Sequence, residues 1–337
     1  MRRSLTRREV LKLGGGALAG AYTLALAGCN AHGGGGSQQS ASTENYPQQT
    51  LDWTIAFGPG GGNDIMSRTL IEILNKYDLY SENIVATNME GGDGARGWGF
   101  VYNQKGNPYH ISSTSGSFMT TPLAADTPWG PTSFTPIGML ATDDTLFVVR
   151  ADAPYDTMEE FVAAAKEKSL PVGGIATINI DFIMAELVSQ QTGFELKYVP
   201  FNDEGEMISA LLSKSLVMIA SNPAEVIGIV ESGDAKALAF SGKQPMRSLP
   251  DVPTFEELGY NIDVSTPRGL VLAPDVNREV QQWWIDTIGK VIEKPEWKKY
   301  LKENDLNEKV LWDEEFVKYL ENTQAKLKQT LKEAGAL

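Results

Sequence analysis

Between residues 57 and 64 the chain reads Phe-Gly-Pro-Gly-Gly-Gly-Asn-Asp, after the strand-like Leu-Asp-Trp-Thr-Ile-Ala and ahead of an amphipathic run. Consecutive glycines between a strand and a helix let backbone N–H groups converge, and an uncommitted helix N-terminus suits an anion. A phosphate loop would continue with Lys and then Ser or Thr, whereas here Asn63 and Asp64 follow, and an aspartate repels phosphate. A dinucleotide fingerprint counted from Gly58 needs glycine where Asn63 stands. The chemistry left to Gly60, Gly61 and Gly62 is to hold a carboxylate, with Asn63 or Asp64 capping the helix that follows. Taken alone, the loop is explained slightly better as a tight capped turn with no ligand.

Other loops shift that balance. Residues 91–97 (GGDGARG), 113–117 (STSGS), 173–179 (GGIATIN) and 221–222 (SN) each follow a strand-like segment. In open α/β sheets, ligands gather outside the carboxyl ends of strands. Ser115, Ser117, Thr177, Asn179, Asp181 and Ser221 then become candidate contacts in a polar small-molecule cleft. Serine catalysis is a poor fit: His110 shares a strand with Ser115 and Ser117, and no Gly-x-Ser-x-Gly elbow occurs. Two unclustered histidines, His32 and His110, and a single cysteine give no metal set, and no cofactor is expected.

These loops must be placed by alternating strands and helices. Helical spacing predicts helices over 63–77, near 97–104, and over 157–168, where Thr157 is the N-cap and Glu160 its capping-box partner. Strand candidates include YHISST, FTPIGML, TLFVVR, LPVGGIA, ELKYVPF, LVMIASN and AKALAFS, with DVPTFEELGYN as a short helix. Three amphipathic helices, around 277–292, 295–303 and 313–333, close the chain. Such alternation implies parallel α/β sheets covered on both faces, and the 42% hydrophobic content supplies core for two domains.

The first 28 residues have a basic start, a short apolar run and small residues near the end, the pattern of an export signal, with Arg7-Arg8 close to a twin-arginine form. Leu-Ala-Gly-Cys, ending at Cys29, resembles a lipoprotein box in which that cysteine is lipidated; residues 29–48 then form a Gly/Ser/Gln tether. The formal charge is −14, and residues 1–28, with five basic groups against Glu9, hold +4, which leaves −18 on the mature body. That balance argues against nucleic acid as a partner, and an anionic ligand would need local donors.

Phe57, Gly61, Gly62, Asp64 and Arg68, the spaced Gly91, Gly94 and Gly97, VPFNDEG at 199–205 and above all SLPDVPTFEELGY at 248–260 resemble the TctC/Bug family of extracytoplasmic solute receptors. The resemblance covers about residues 46 to 320. It implies an α/β periplasmic-binding-protein-like fold (type II, Venus flytrap), with residues 49–147 and 266–337 as one lobe and 148–265 as the other. It also implies a di- or tricarboxylate held between the lobes by the first glycine loop and by residues 173–179. Ile178 and Asn179 depart from the glycine and hydroxyl residues usual there. Arg268 stands where many relatives carry an aromatic residue; it would either take a second carboxylate or pair with an acid of the protein. The expected role is a monomeric, lipid-anchored receptor that delivers its ligand to membrane permease subunits of a tripartite transporter. A receptor signalling to a sensor, and a secreted serine hydrolase, are the alternatives.

Overall fold

The computed structural model describes residues 46–337 except 202–203 and 263. The signal segment, Cys29 and the tether up to residue 45 lie outside the described residues.

Two sheets organise the body. The first contains β1 (Leu51–Ile55), β2 (Ile84–Asn88), β3 (His110–Ser113) and β4 (Thr135–Asp143), joined near its end by β10 (Thr266–Leu272) and β11 (Asn307–Trp312). Their order is β11-β4-β10-β3-β1-β2. The second holds β5 (Leu146–Arg150), β6 (Pro171–Ile175), β7 (Lys197–Phe201), β8 (Met218–Ser221) and β9 (Ala235–Phe240), ordered β7-β6-β8-β5-β9. The chain passes from the first sheet to the second at residues 144–145 and returns between 241 and 265.

The expectation of parallel sheets needs correction. β1 pairs in parallel with β2 and β3, and β6 with β7 and β8, but β10 runs antiparallel to β3 and β4, and β5 antiparallel to β8 and β9. A parallel neighbour needs a crossover helix on its own sheet. β5 and β10 each enter directly from the other sheet, so that requirement is absent and they insert antiparallel.

Helices α1 (Gly62–Lys76), α2 (Ala95–Tyr102) and α3 (Ser117–Ala124) follow β1, β2 and β3. In the second sheet α4 (Met158–Glu167) precedes β6, and α5 (Ile180–Thr192), α6 (Glu204–Leu212) and α7 (Pro223–Glu231) follow β6, β7 and β8. The closing helices α8 (Arg278–Ile292), α9 (Pro295–Glu303) and α10 (Asp313–Glu333) keep the expected bounds to within a residue. Their apolar faces place Trp284, Trp297, Phe316, Leu320 and Leu327 in the core.

Thr157 caps α4 by accepting from the Glu160 N–H at 3.2 Å, while the Glu160 carboxylate accepts from Asp156 at 2.6 Å, one residue earlier than a capping box requires. The segment 251–261 is a single turn rather than a helix. Thr254 and Glu257 cap it reciprocally, but Gly259 at φ +81° ends it at once, and Thr254 is drawn into a bridge with Phe240. β11 was not expected, because an edge strand with Glu308 and Lys309 in solvent lacks clean alternation.

Candidate ligand-binding site

The loops at the carboxyl ends of the strands of both sheets enclose a cavity of about 640 Å³. From the first sheet come residues 57–63, Glu90, Asp93, residues 115–117, Thr266 and Arg268; from the second come Ile175, residues 179–181, Glu204, Asn222 and Glu225.

The glycine loop is shaped from below. Gly60 has φ +88°, and a Cβ on Gly62 would lie 2.5 Å from the Arg268 guanidinium, so glycine is required at both. Asp64 does not line the cavity. Its carboxylate accepts from the Gly60 N–H at 3.0 Å, from Arg68 at 2.8 Å and from Asn88 at 2.9 Å. Burial pulls this carboxyl upward, yet the hydrogen bonds from Arg68, Gly60 and Asn88 outweigh it and hold the group below the usual carboxylate range. Asp64 therefore braces the loop. Behind the loop, Trp98 is fully buried, donates to the Ser113 carbonyl at 3.0 Å and meets the Phe57 ring edge-on at 5.6 Å.

The first two N–H groups of an α-helix have no intrahelical acceptor. In α1 these belong to Gly62 and Asn63, and in α3 to Ser117 and Phe118, of which only the last is taken, by the Ser115 carbonyl at 3.1 Å. Two side chains beside these termini are unsatisfied. Neither polar atom of Asn63, 4% exposed, nor the Ser115 hydroxyl, 7% exposed, has a partner among the described residues. An unpaired buried polar group costs about 1–3 kcal/mol. Asn63 and Ser115 both line the cavity, beside the free N–H groups that open α1 and α3.

The second sheet presents a different surface. Asn179 caps α5 by accepting from the Asp181 N–H, and the Asp181 carboxylate takes the Ile175 N–H at 3.2 Å. Burial pushes Asp181 up to about 7 against the Ile175 N–H and the Asn179 side chain, and the nearby Asp143 charge adds to the rise. The 173–179 loop is held by the Tyr198 hydroxyl, which donates to the carbonyls of Ile175 and Ala176, the latter at φ +59°. Half-buried Glu225 is also raised, first by burial and then by Asp143, with Arg268 opposing.

Of the twelve residues expected here, Gly60, Gly61, Gly62, Asn63, Ser115, Ser117, Asn179, Asp181 and Arg268 line the cavity. Asp64, Thr177 and Ser221 do not; the Ser221 hydroxyl donates to Glu204, which stands in front of it. Arg268 is buried and spends Nε, at 3.1 Å, and Nη2 on Asp143. Asp93 and Asn222 also line the cavity and lie in the 91–97 and 221–222 loops expected at strand ends, whereas Glu90, Glu204 and Glu225 were not expected there. Glu204 and Glu225 sit in the first turns of the helices that follow β7 and β8, where the rule favouring strand ends points.

His110 sits at the opposite end of β3 from Ser115, 3.7 Å from Asp52, and does not line the cavity, so no serine–histidine pair is assembled. Among the described residues no three His, Cys, Asp or Glu side chains converge as a metal set.

A two-sheet α/β body with its cleft at the strand ends is the architecture of periplasmic binding proteins. The TctC family, described as the tripartite tricarboxylate transporter family receptor, matches residues 72–336, and the chain belongs to that family. It is 24% identical over 298 residues to the UPF0065 protein in the gbd 5' region of Cupriavidus necator, covering 88% of this chain and 90% of the relative. A TctC solute binding protein from Polaromonas, solved without ligand, superposes with a TM-score of 0.73 at 27% identity, over 86% of this chain and all of its own. R. palustris Rpa4515, solved with adipate, superposes at 0.77 with 20% identity, over 86% and 99% of the two chains, a likeness of fold.

Proposed function

We propose that this chain is a receptor that captures a small carboxylate between its two sheets and delivers it to the membrane permease of a tripartite transporter. The observation that carries the reading is the unsatisfied Asn63 amide and Ser115 hydroxyl at the N-termini of α1 and α3. A carboxylate there receives backbone and side-chain donors with no metal and adds to the favourable end of two helix dipoles. The first sheet with its helices forms one lobe and the second sheet with its helices the other, and a ligand touching both stabilises the closed arrangement by its differential affinity for it. A lipid on Cys29 keeps the receptor beside its permease.

The test is thermal melting of ligand-stripped mature protein against a panel of di- and tricarboxylates that includes adipate. A ligand at a hundred times its Kd adds about 2.7 kcal/mol to stability, a rise of a few degrees. Asn63→Ala should abolish that rise and leave the melting point of the free protein almost unchanged, since the amide has no partner to lose. A stripped protein that responds to no member of the panel overturns the carboxylate assignment.

A further inference from the structure

A second cavity, of about 530 Å³, lies where the chain changes sheets and shares no lining residue with the cleft. Both passages contribute to it, Asp144 from the first and Lys243 and Arg247 from the return. Lys309 of β11 and Lys326 of α10 join them from the far end of the chain. Adjacent residues serve the two cavities: Asp143 bonds Arg268 at the cleft, and Asp144 lines the second hollow.

The charge of this wall is opposite to that of the chain. Four cationic side chains and two acids line it, although the chain as a whole has a formal charge of −14. Of the acids, Glu308 is bonded to Lys298, outside the cavity, at 2.5 Å. Asp144 is 3% exposed and accepts from Asn307 at 2.8 Å. Burial raises its pKa, against Ser265, Asn307 and Lys309, so it repels an anion less than an exposed aspartate would.

Arg247 and Lys309 hold the unmet charge. Nη1 of Arg247 donates to the carbonyls of Leu301 at 3.4 Å and Leu306 at 3.2 Å, which positions the guanidinium without neutralising it. The Lys309 Nζ stands 4.8 Å from the centroid of the Tyr319 ring, a contact that steadies an ammonium and leaves its charge in place. Among the described residues neither has a carboxylate within ion-pair distance. Gathering like charges around one hollow is unfavourable unless an anion enters it. A single chloride offsets one charge, whereas a multivalent oxyanion meets a planar guanidinium fork and an ammonium together.

We infer that this cavity is a second binding site, for a small multivalent oxyanion held between Arg247 and Lys309. Phosphates and polycarboxylates share that chemistry. An occupant ties the return passage to β11, and the site stands whether or not the cleft takes a carboxylate.

Isothermal titration at constant physiological ionic strength, with inorganic phosphate, pyrophosphate and citrate, tests it. At least one of these anions should bind saturably to Asn63→Ala as it does to the parent. Arg247→Gln and Lys309→Gln, both at exposed positions, should each weaken that binding about fivefold or more, the effect of one unit charge at contact distance in water. Lys309→Arg, which keeps the charge, should bind as the parent does. Within Asn63→Ala, tighter binding of citrate assigns a polycarboxylate, and tighter binding of phosphate or pyrophosphate assigns a phosphate. An anion that binds the parent but not Asn63→Ala belongs to the cleft and overturns the inference. So do binding unchanged in both glutamine variants, equal losses in Lys309→Gln and Lys309→Arg, and no saturable binding by any of the three.

Discussion

Asp181 holds a proton at pH values where an unfolded aspartate has lost it, because burial, opposed by the Ile175 N–H and Asn179 and reinforced by Asp143, raises its pKa to about 7. Tyr198 is the other titratable group in its electrostatic surroundings, and its hydroxyl stays neutral in this range. The folded state therefore binds more protons than the unfolded state between about pH 4 and 7, and stability falls as pH rises through that window. Above about pH 7 the loss is complete and flat. Asp181→Asn keeps an oxygen for the Ile175 N–H and removes the titration. Its stability relative to the parent should climb from near zero at low pH to on the order of 4 kcal/mol at pH 8, as read from chemical denaturation at a series of pH values. A difference that does not vary with pH would show that the carboxyl titrates normally.

Among the elements, α2 shows how closely helix and sheet approach under the glycine loop. A Cβ on Gly97 would lie 2.7 Å from the Cα of Ala56 just beyond β1, whereas one on Gly289, inside α8, would meet nothing within 4 Å. Helix propensity favours alanine at both sites by about 1 kcal/mol, while overpacking costs about 1–3 kcal/mol. Gly289→Ala should therefore raise the melting temperature, and Gly97→Ala should lower it and loosen the loop that Phe57 leads into; equal shifts would refute the close packing. Helices of this kind were legible in the sequence because their apolar spacing is local, and the bounds of α8, α9 and α10 follow from it. Strand direction was not, since alternation of strand and helix carries no information where a strand arrives from another sheet. The same limit hid the site's charge. The glycine loop, Asn63 and Ser115 announce themselves by type, but Glu204 and Glu225 read as ordinary first-turn helix acids. The partner of Arg268 lies 125 residues away in the chain.

At the scale of the whole molecule, that pair stands where the chain changes sheets. Asp143 ends β4 immediately before the first passage, Arg268 lies in β10 just after the return, and Asn222, opening α7 of the second sheet, donates to Asp143 at 2.9 Å. Removing one member of a buried pair strands the other charge, so Arg268→Leu should destabilise by about 3–5 kcal/mol. Arg268→Leu combined with Asp143→Asn should recover part of that loss, with a coupling of about 1–3 kcal/mol in a denaturation cycle. Additive losses would mean that the two side chains act separately. The indole of Trp98, shielded from water behind Phe57, has a further consequence. A shielded indole emits at short wavelength and responds to charge brought near it, and this one packs against Phe57, which lines the cavity. The receptor thus contains its own optical gauge: its intrinsic fluorescence should register the arrival of a solute without any dye, and Trp98→Phe should silence it.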